Sequence, residues 1–238
     1  MQQYFARRRE NDYLYLNDID ENHIKNVMRF KVGDEVIVAY DGISYLCEFT
    51  DSLLKCKIKN VFKALEESKI VAYVPILNED KIDFILEKGT EMGITDFYPV
   101  EFSQCKFKLK NDIKSKKLVR WQRIVKEASE QSRRTIIPIV HDFVIVKDVD
   151  SICDVNIICS LDKENVKHIS EVLTRNNIYG TIAIVFGPEG GITKDEENIL
   201  VDKGFIKTSL GNRVLRTETV IIFLTSIIEY LRYGGNNE

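Results

Sequence analysis

Ile182-Ala-Ile-Val-Phe-Gly-Pro-Glu-Gly-Gly191 and Ser209-Leu-Gly-Asn-Arg-Val-Leu-Arg216 are the two stretches that decide the fold class of this 238-residue chain. In each, an apolar or β-prone run breaks into a loop that contains glycine, which lets a ligand approach the main chain because it has no Cβ. The second loop leads into an apolar helix, for which Thr217 is the predicted N-cap. Two strand-to-helix loops of this kind predict one pocket at the strand ends of an open α/β sheet.

The chain around these loops alternates strands with helices from about residue 70 onward. A strand at Ile70–Leu77, a helix capped by Asn78 and a strand at Ile94–Val100 form a βαβ unit. This alternation predicts an α/β domain with a mainly parallel sheet. Further helices are predicted at residues 115–132, at 163–176 and after the capping box Thr193–Glu196, and further strands at 156–161, 181–186 and 205–209.

The N-terminal part has a different pattern, typical of a small β-barrel. Glu35–Tyr40 and Ile43–Phe49 flank Asp41-Gly42, which predicts a two-residue hairpin turn, and a short helix is expected at residues 21–30. We place the domain boundary between residues 66 and 72, which gives domains 1–70 and 71–238.

Composition narrows the classes of function. The net charge is only −3, so a nucleic-acid site has to be a local patch, such as the basic helix with Lys116, Lys117, Arg120 and Arg123 or the alternating Lys55, Lys57 and Lys59. The five cysteines include no C-x-x-C pair, so no disulfide frame and no metal site is indicated. No apolar run has the length of a membrane span or signal peptide, which predicts a cytoplasmic protein.

The glycine loops do not match the common phosphate-binding motifs. There is no G-x-G-x-x-G and no G-K-[ST], which argues against a dinucleotide or P-loop nucleotide enzyme. Exposed main-chain groups in the loops suit a flat base such as adenine, with Leu161, Phe186, Leu210 and Leu215 as apolar surroundings. The alternative is that the glycines only make tight turns. Because both loops fall in the same α/β half of the chain, we favour a ligand-binding role over simple tight turns.

At these residues the sequence resembles a known family. Phe186–Gly191 and Leu210–Thr219 resemble the signature loops of the bacterial 16S ribosomal RNA (uracil-N3)-methyltransferases, which belong to the SPOUT superfamily with a trefoil-knotted α/β domain. Supporting matches at His23–Arg29, Lys88–Gly93 and Glu127–Ser132 extend the resemblance over essentially the whole chain. Two residues depart from the family pattern: Val220 stands where alanine is more frequent, and Arg133 where glycine is common.

The resemblance implies a PUA-like RNA-binding barrel followed by a SPOUT methyltransferase domain, usually as a homodimer. It implies S-adenosylmethionine as cofactor, and as substrate one uridine in the decoding region of 16S rRNA, on the assembled small ribosomal subunit. The cofactor-binding residues that it implies, together with the apolar neighbours named above, are Leu161, Phe186, Gly187, Pro188, Glu189, Gly190, Gly191, Leu210, Gly211, Val214, Leu215 and Thr219.

Two residues near the second loop are candidates for catalysis. Arg216 suits stabilisation of the charge that develops on the uracil carbonyls, because a guanidinium donates two parallel hydrogen bonds. Glu218 would orient that arginine or accept the N3 proton. The alternative is an ordinary Arg216–Glu218 ion pair at a helix start. Candidates for RNA contacts are Arg7, Arg8, Arg9, His23, Arg29, Arg133 and Arg213.

Three rival functions remain open at this point. One is a ribose 2′-O-methyltransferase with the same fold and cofactor. Another is a non-catalytic RNA-binding or ribosome-assembly protein, against which the intact loops count. The third, an unrelated nucleotide-binding enzyme, is weakened by the missing phosphate motifs.

Overall fold

The computed structural model describes residues 1–62, 68–150, 153–162, 164–174 and 177–233. They form two compact units: Met1–Glu66 with Lys126–Ile137, and Glu67–Val125 with Pro138–Glu238. The predicted boundary between residues 66 and 72 begins in the stretch 63–67, which lies outside the described residues. Lys126–Ile137 belongs to the first unit although it lies beyond the predicted boundary in sequence.

The first unit is built around a closed five-stranded barrel, which confirms the predicted β-barrel. Its strand order is β1-β2-β5-β4-β3, and a parallel pairing of β1 with β3 closes it. Alternating side chains point into the barrel, where Leu14, Val36 and Phe49 are fully buried. The strands are β1 (Gln3–Glu10), β2 (Tyr13–Leu16), β3 (Glu35–Tyr40), β4 (Ile43–Phe49) and β5 (Lys55–Val61).

The turn between β3 and β4 is the predicted hairpin. Tyr40 pairs with Ile43, and both intervening residues, Asp41 and Gly42, have positive φ angles of 49° and 74°. This backbone matches the twist of the two strands. The predicted helix at residues 21–30 is shorter than expected, with a π-helical turn at His23–Val27 after a 3-10 turn at Asp18–Asp20.

The second unit contains an eight-stranded sheet in which every described pairing is parallel, which confirms the predicted fold class. The order is β11-β13-β10-β12-β6-β7-β8, and β9 also pairs with β7. The strands are β6 (Ile70–Pro75), β7 (Asp96–Glu101), β8 (Ile139–Val140), β9 (Val144–Ile145), β10 (Val155–Cys159), β11 (Lys167–His168), β12 (Ile182–Val185) and β13 (Ile206–Ser209).

Local sequence signals set the ends of the longer helices. The Asn78 side chain accepts a hydrogen bond from the Lys81 N–H, and Thr193 and Glu196 form the predicted capping box. Trp121, within the helix predicted at residues 115–132, is buried. The helices are α1 (Glu79–Glu91), α2 (Asn111–Ser132), α3 (Ile169–Val172), α4 (Lys194–Asp202) and α5 (Thr217–Tyr233). No helix among the described residues combines the length and apolar character needed to cross a membrane.

The predicted helix at residues 163–176 is wrong over most of its described part. Lys167 and His168 instead pair with β13 at the edge of the sheet, so only Ile169–Val172 are helical. The side chain of Asn177 ends the helix, because it accepts from the Thr174 N–H and donates to the Val172 carbonyl. Both Asn177 and β13 lie outside the predicted helix. Residues 163, 175 and 176 lie outside the described part of the chain.

Candidate active site

The two glycine loops lie at the carboxyl ends of two strands of the parallel sheet. The first glycine loop, Gly187–Gly191, follows β12, and the second, Leu210–Arg216, follows β13; β10 lies between these two parallel strands. A hydrogen bond joins the loops, because the Thr217 hydroxyl donates to the Gly187 carbonyl at 3.3 Å. The loops therefore lie side by side, as the sequence predicts.

The predicted role of Thr217 is wrong. It was predicted as an N-cap, but it is the first helical residue of α5, and its hydroxyl contacts the other loop. The carbonyl of the preceding residue, Arg216, accepts from the N–H groups of Thr219 and Val220, so the helix begins one residue earlier than a Thr217 cap requires.

The loop glycines have two different roles. Gly187 is required by close packing, whereas Gly191 and Gly211 leave space beside the main chain. A Cβ on Gly187 would stand 2.7 Å from Ile192 Cγ1, so this position admits no side chain without movement. Gly191 and Gly211 have φ angles of 81° and 113°, and no atom lies within 4 Å of where their Cβ would stand. The main chain at these two residues is therefore accessible to a ligand.

Lys81 on α1 links the first glycine loop to the start of α5, which no pattern in the sequence predicts. Its ammonium lies 2.9 Å from Glu189 Oε1 in the first loop and 3.3 Å from Glu218 Oε2 after the second. Its hydrogen bond to Glu189 lowers the pKa of that carboxyl and raises the pKa of the lysine. No local signal identifies Lys81, because Glu189 is 108 residues away in sequence.

Glu218 therefore pairs with Lys81, and the expected Arg216–Glu218 ion pair does not form in the described structure. Arg216 is exposed and makes no ion pair with any described residue. Its guanidinium is available to a ligand at the start of α5.

Apolar side chains surround the loops. Leu161, which follows β10, is 70% exposed, and Val214 in the second loop is 77% exposed. Leu210 and Leu215 are half-buried, whereas Phe186 is fully buried beneath the first loop. Exposed aliphatic groups beside accessible main chain are typical of a small-molecule site. Of the other predicted residues here, Pro188 is buried, and Gly190, Thr219 and Arg213 are exposed.

The residues predicted to contact RNA in the first unit mostly have partners there. Arg7 pairs with Asp18 at 3.1 Å, and Arg8 pairs with Glu10 at 2.5 Å. The remaining contacts are Arg9 to the Tyr45 hydroxyl at 3.0 Å and His23 Nδ1 to the Tyr4 hydroxyl at 2.8 Å.

Two exposed arginines in this unit have the left-handed backbone, with φ angles of 58° at Arg29 and 59° at Arg133. Glycine adopts this conformation without strain, which explains why glycine is an alternative at position 133.

Comparison with known proteins gives consistent results over the whole chain. Residues 65–229 match an RNA methyltransferase domain family, and residues 16–59 match an RNA methyltransferase PUA domain family. Among curated relatives, ribosomal RNA small subunit methyltransferase E of Bacillus subtilis is 32% identical over 88% of this chain and 86% of its own length. Its counterpart from Mesomycoplasma hyopneumoniae is 31% identical over 94% and 97%.

A solved structure extends the comparison to three dimensions. The ribosomal RNA small subunit methyltransferase E of Neisseria gonorrhoeae, bound to S-adenosyl methionine, superposes with a TM-score of 0.85 at 26% identity. The match covers 97% of this chain and 98% of that one.

Proposed function

Since this chain belongs to the family of the ribosomal RNA small subunit methyltransferases E, we propose that it methylates N3 of a uridine in the decoding region of 16S rRNA. S-adenosylmethionine is the methyl donor and the assembled small subunit is the substrate. The enzyme acts in the cytoplasm as a homodimer. The observation that carries the proposal is the pair of glycine loops, held side by side by the Thr217–Gly187 hydrogen bond.

The chemistry of the loops fits S-adenosylmethionine. Its adenine needs main-chain hydrogen-bonding groups and apolar contacts, which the accessible backbone at Gly191 and Gly211 and the exposed side chains of Leu161 and Val214 offer. The proposed binding residues are Gly187–Gly191 of the first loop, four residues of the second loop and three neighbours: Leu210, Gly211, Val214, Leu215, Leu161, Phe186 and Thr219. The bound cofactor supplies an electrophilic methyl group on a sulfonium, which needs no covalent enzyme intermediate.

Arg216 is the residue that we assign to the chemical step. Loss of the N3 proton to solvent leaves negative charge on the uracil carbonyls O2 and O4, and a guanidinium stabilises such charge with two parallel hydrogen bonds. The side chain is exposed and free of ion pairs in the described structure, so no acidic partner has to be displaced when it binds the base.

We assign Glu218 to positioning. Its carboxylate lies 3.3 Å from the Lys81 ammonium and is therefore held by an ion pair. Through Lys81 it is linked to Glu189, so the three side chains connect α1 to the first loop and to the start of α5.

The experiment that tests this function is mass-spectrometric mapping of small-subunit RNA from cells with and without the protein. We expect one N3-methyluridine to disappear in its absence. An unchanged nucleoside profile, or loss of a 2′-O-methyl nucleotide instead, would refute the proposal.

A further inference from the structure

We propose that the segment Ser103–Lys110, here called the lysine strip, is a binding site for single-stranded RNA beside the glycine loops. In this site Lys106, Lys108 and Lys110 contact phosphates and Phe107 stacks on a base. The inference rests on the proposed function, because it names the surface by which the same active site holds its RNA substrate.

The lysine strip begins directly against the first glycine loop. A Cβ on Gly190 would stand 3.0 Å from Gln104 Cβ and 3.2 Å from the Gln104 carbonyl oxygen, so the two backbones are in close contact. The neighbouring Ser103 N–H donates to Glu196 Oε1 at 2.7 Å, which fixes the start of the strip to α4. The strip therefore occupies a defined position next to the proposed methyl donor.

Buried side chains hold the strip while its charges face outward. Cys105 is buried, and Leu109 packs against the core of the second unit. Lys106, Phe107, Lys108 and Lys110 are exposed. The strip thus presents a row of cations on an anchored backbone, which lowers the entropy lost when a ligand orders it.

The cations of the strip differ from Lys117 and Arg120 on α2, which are neutralised by Glu79 and Asp83. None of the three strip lysines makes an ion pair with any described residue, and residues 102–111 contain no aspartate or glutamate. A polyanion can bind the strip without first displacing a carboxylate, and it gains the free energy of counterion release.

Phe107 gives the strip a second property that points to RNA. It is 45% exposed between two exposed lysines, and an aromatic face between cations suits a base with its flanking phosphates. Beside it opens a cleft of about 560 Å³, which is within the usual range of a nucleotide-sized site. Its lining includes Lys108, Lys147 and Glu196, together with the ion pair of Lys114 with Glu101. An acidic protein would use the charges but has no need of the aromatic ring.

The test measures binding of a fluorescein-labelled oligouridylate of about ten nucleotides to the full chain by fluorescence anisotropy. Lys106→Gln/Lys108→Gln should weaken binding and lower the slope of log K against log salt by roughly 1.4, because each neutralised phosphate contact on a single strand contributes about 0.7. Phe107→Ala should weaken binding roughly five-fold or more, and Phe107→Trp should restore it.

The matched control is Lys69→Gln/Lys88→Gln, which removes two positive charges that are already ion-paired with carboxylates. We expect this control to bind RNA like the unchanged protein. Equal affinities of the strip variants and the control would overturn the inference.

Calorimetry with S-adenosylmethionine on the same proteins separates this inference from the proposed function. If the cofactor binds every variant while only strip variants lose RNA, both stand. If the cofactor binds every variant and the strip variants bind RNA as tightly as the unchanged protein, the inference about the lysine strip is refuted and the proposed function stands. If the cofactor does not bind the unchanged protein, the proposed function fails.

Discussion

Arg216 is an exposed cation at the first turn of α5, and its role depends on what its guanidinium meets there. We expect Arg216→Ala to lower kcat by roughly 100- to 1,000-fold, the usual cost of losing one donor to a developing oxyanion. The Kd for S-adenosylmethionine should not change. Single-turnover methylation of small subunits, together with calorimetry, measures both quantities.

Two other variants sharpen this test. Arg216→Lys keeps the charge but loses the planar pair of donors, so it should recover only part of the rate. Arg213→Ala, an exposed arginine on the same loop, should affect RNA affinity and leave kcat intact. Normal turnover by Arg216→Ala would remove the residue from the mechanism.

A second prediction concerns Lys81, whose ammonium contacts Glu189 in the first loop and Glu218 at the start of α5. Lys81→Met leaves Glu189 and Glu218 without their shared counterion, so the loops should separate. We expect a loss of about 1–2 kcal/mol in S-adenosylmethionine binding, or roughly five- to thirty-fold in Kd. This is at the low end for hydrogen bonds to charged groups, because the Lys81–Glu189 pair is partly exposed to solvent. Calorimetry gives the Kd directly.

Lys88→Met is the matched control, because Lys88 lies on the same helix and, among the described residues, pairs only with Glu87 and Glu91. Lys81→Arg should bind the cofactor normally. The bridging role would be ruled out if Lys81→Met and Lys88→Met had the same affinity.

At the scale of elements, the start of α5 joins the loops through Thr217. Thr217→Val keeps the shape of the side chain and removes the bond to the Gly187 carbonyl, so S-adenosylmethionine binding should weaken by about 1 kcal/mol. Thr225→Val is the comparison, since the buried Thr225 hydroxyl bonds within α5, to the Ile221 carbonyl. Identical cofactor affinities in the two variants would argue against the loop-joining bond.

The last turns of α2 contain a buried acid, Glu130, which makes the stability of the fold depend on pH. Burial raises the pKa of Glu130 from its ordinary 4.5 to about 7, with Asp20 and Glu127 adding to the rise and Lys126 opposing it. A raised acid pKa in the folded state contributes stability below pH 4.5 that is lost as the pH rises to about 7.

Glu130→Gln should remove this dependence. The free energy of unfolding of the unchanged protein, relative to this variant, should fall between pH 4.5 and about 7, by up to roughly 3 kcal/mol. Urea unfolding at several pH values measures it, with Glu21→Gln on the exposed surface as control. A pH-independent difference would contradict the raised pKa.

Local patterns predicted the elements that local chemistry specifies. The Asp41-Gly42 turn, the Asn78 cap and the Thr193–Glu196 box each depend on residues a few positions apart, and the structure contains all three. The edge strand Lys167–His168 was missed because pairing with β13 overrides a helical pattern. The two-residue strands β8 and β9 are too short for any periodicity.

For the whole molecule, the sequence predicted the fold class and the pairing of the loops but not the contacts that span the fold. Lys81 and the lysine strip carry no motif, and their importance follows from the neighbours that the sheet brings to them. The ion pairs of Arg7 and Arg8 with acidic residues were equally invisible in the basic run at residues 7–9.

The central claim is that both glycine loops together hold S-adenosylmethionine. Hydrogen–deuterium exchange of the full chain, with and without saturating S-adenosylmethionine, tests it most directly, because bound main-chain amides exchange slowly. We predict that the cofactor slows exchange at Gly187–Gly191 and at Leu210–Arg216 and leaves β1 to β5 unchanged. Protection of neither loop, or of only one of them, would contradict the account.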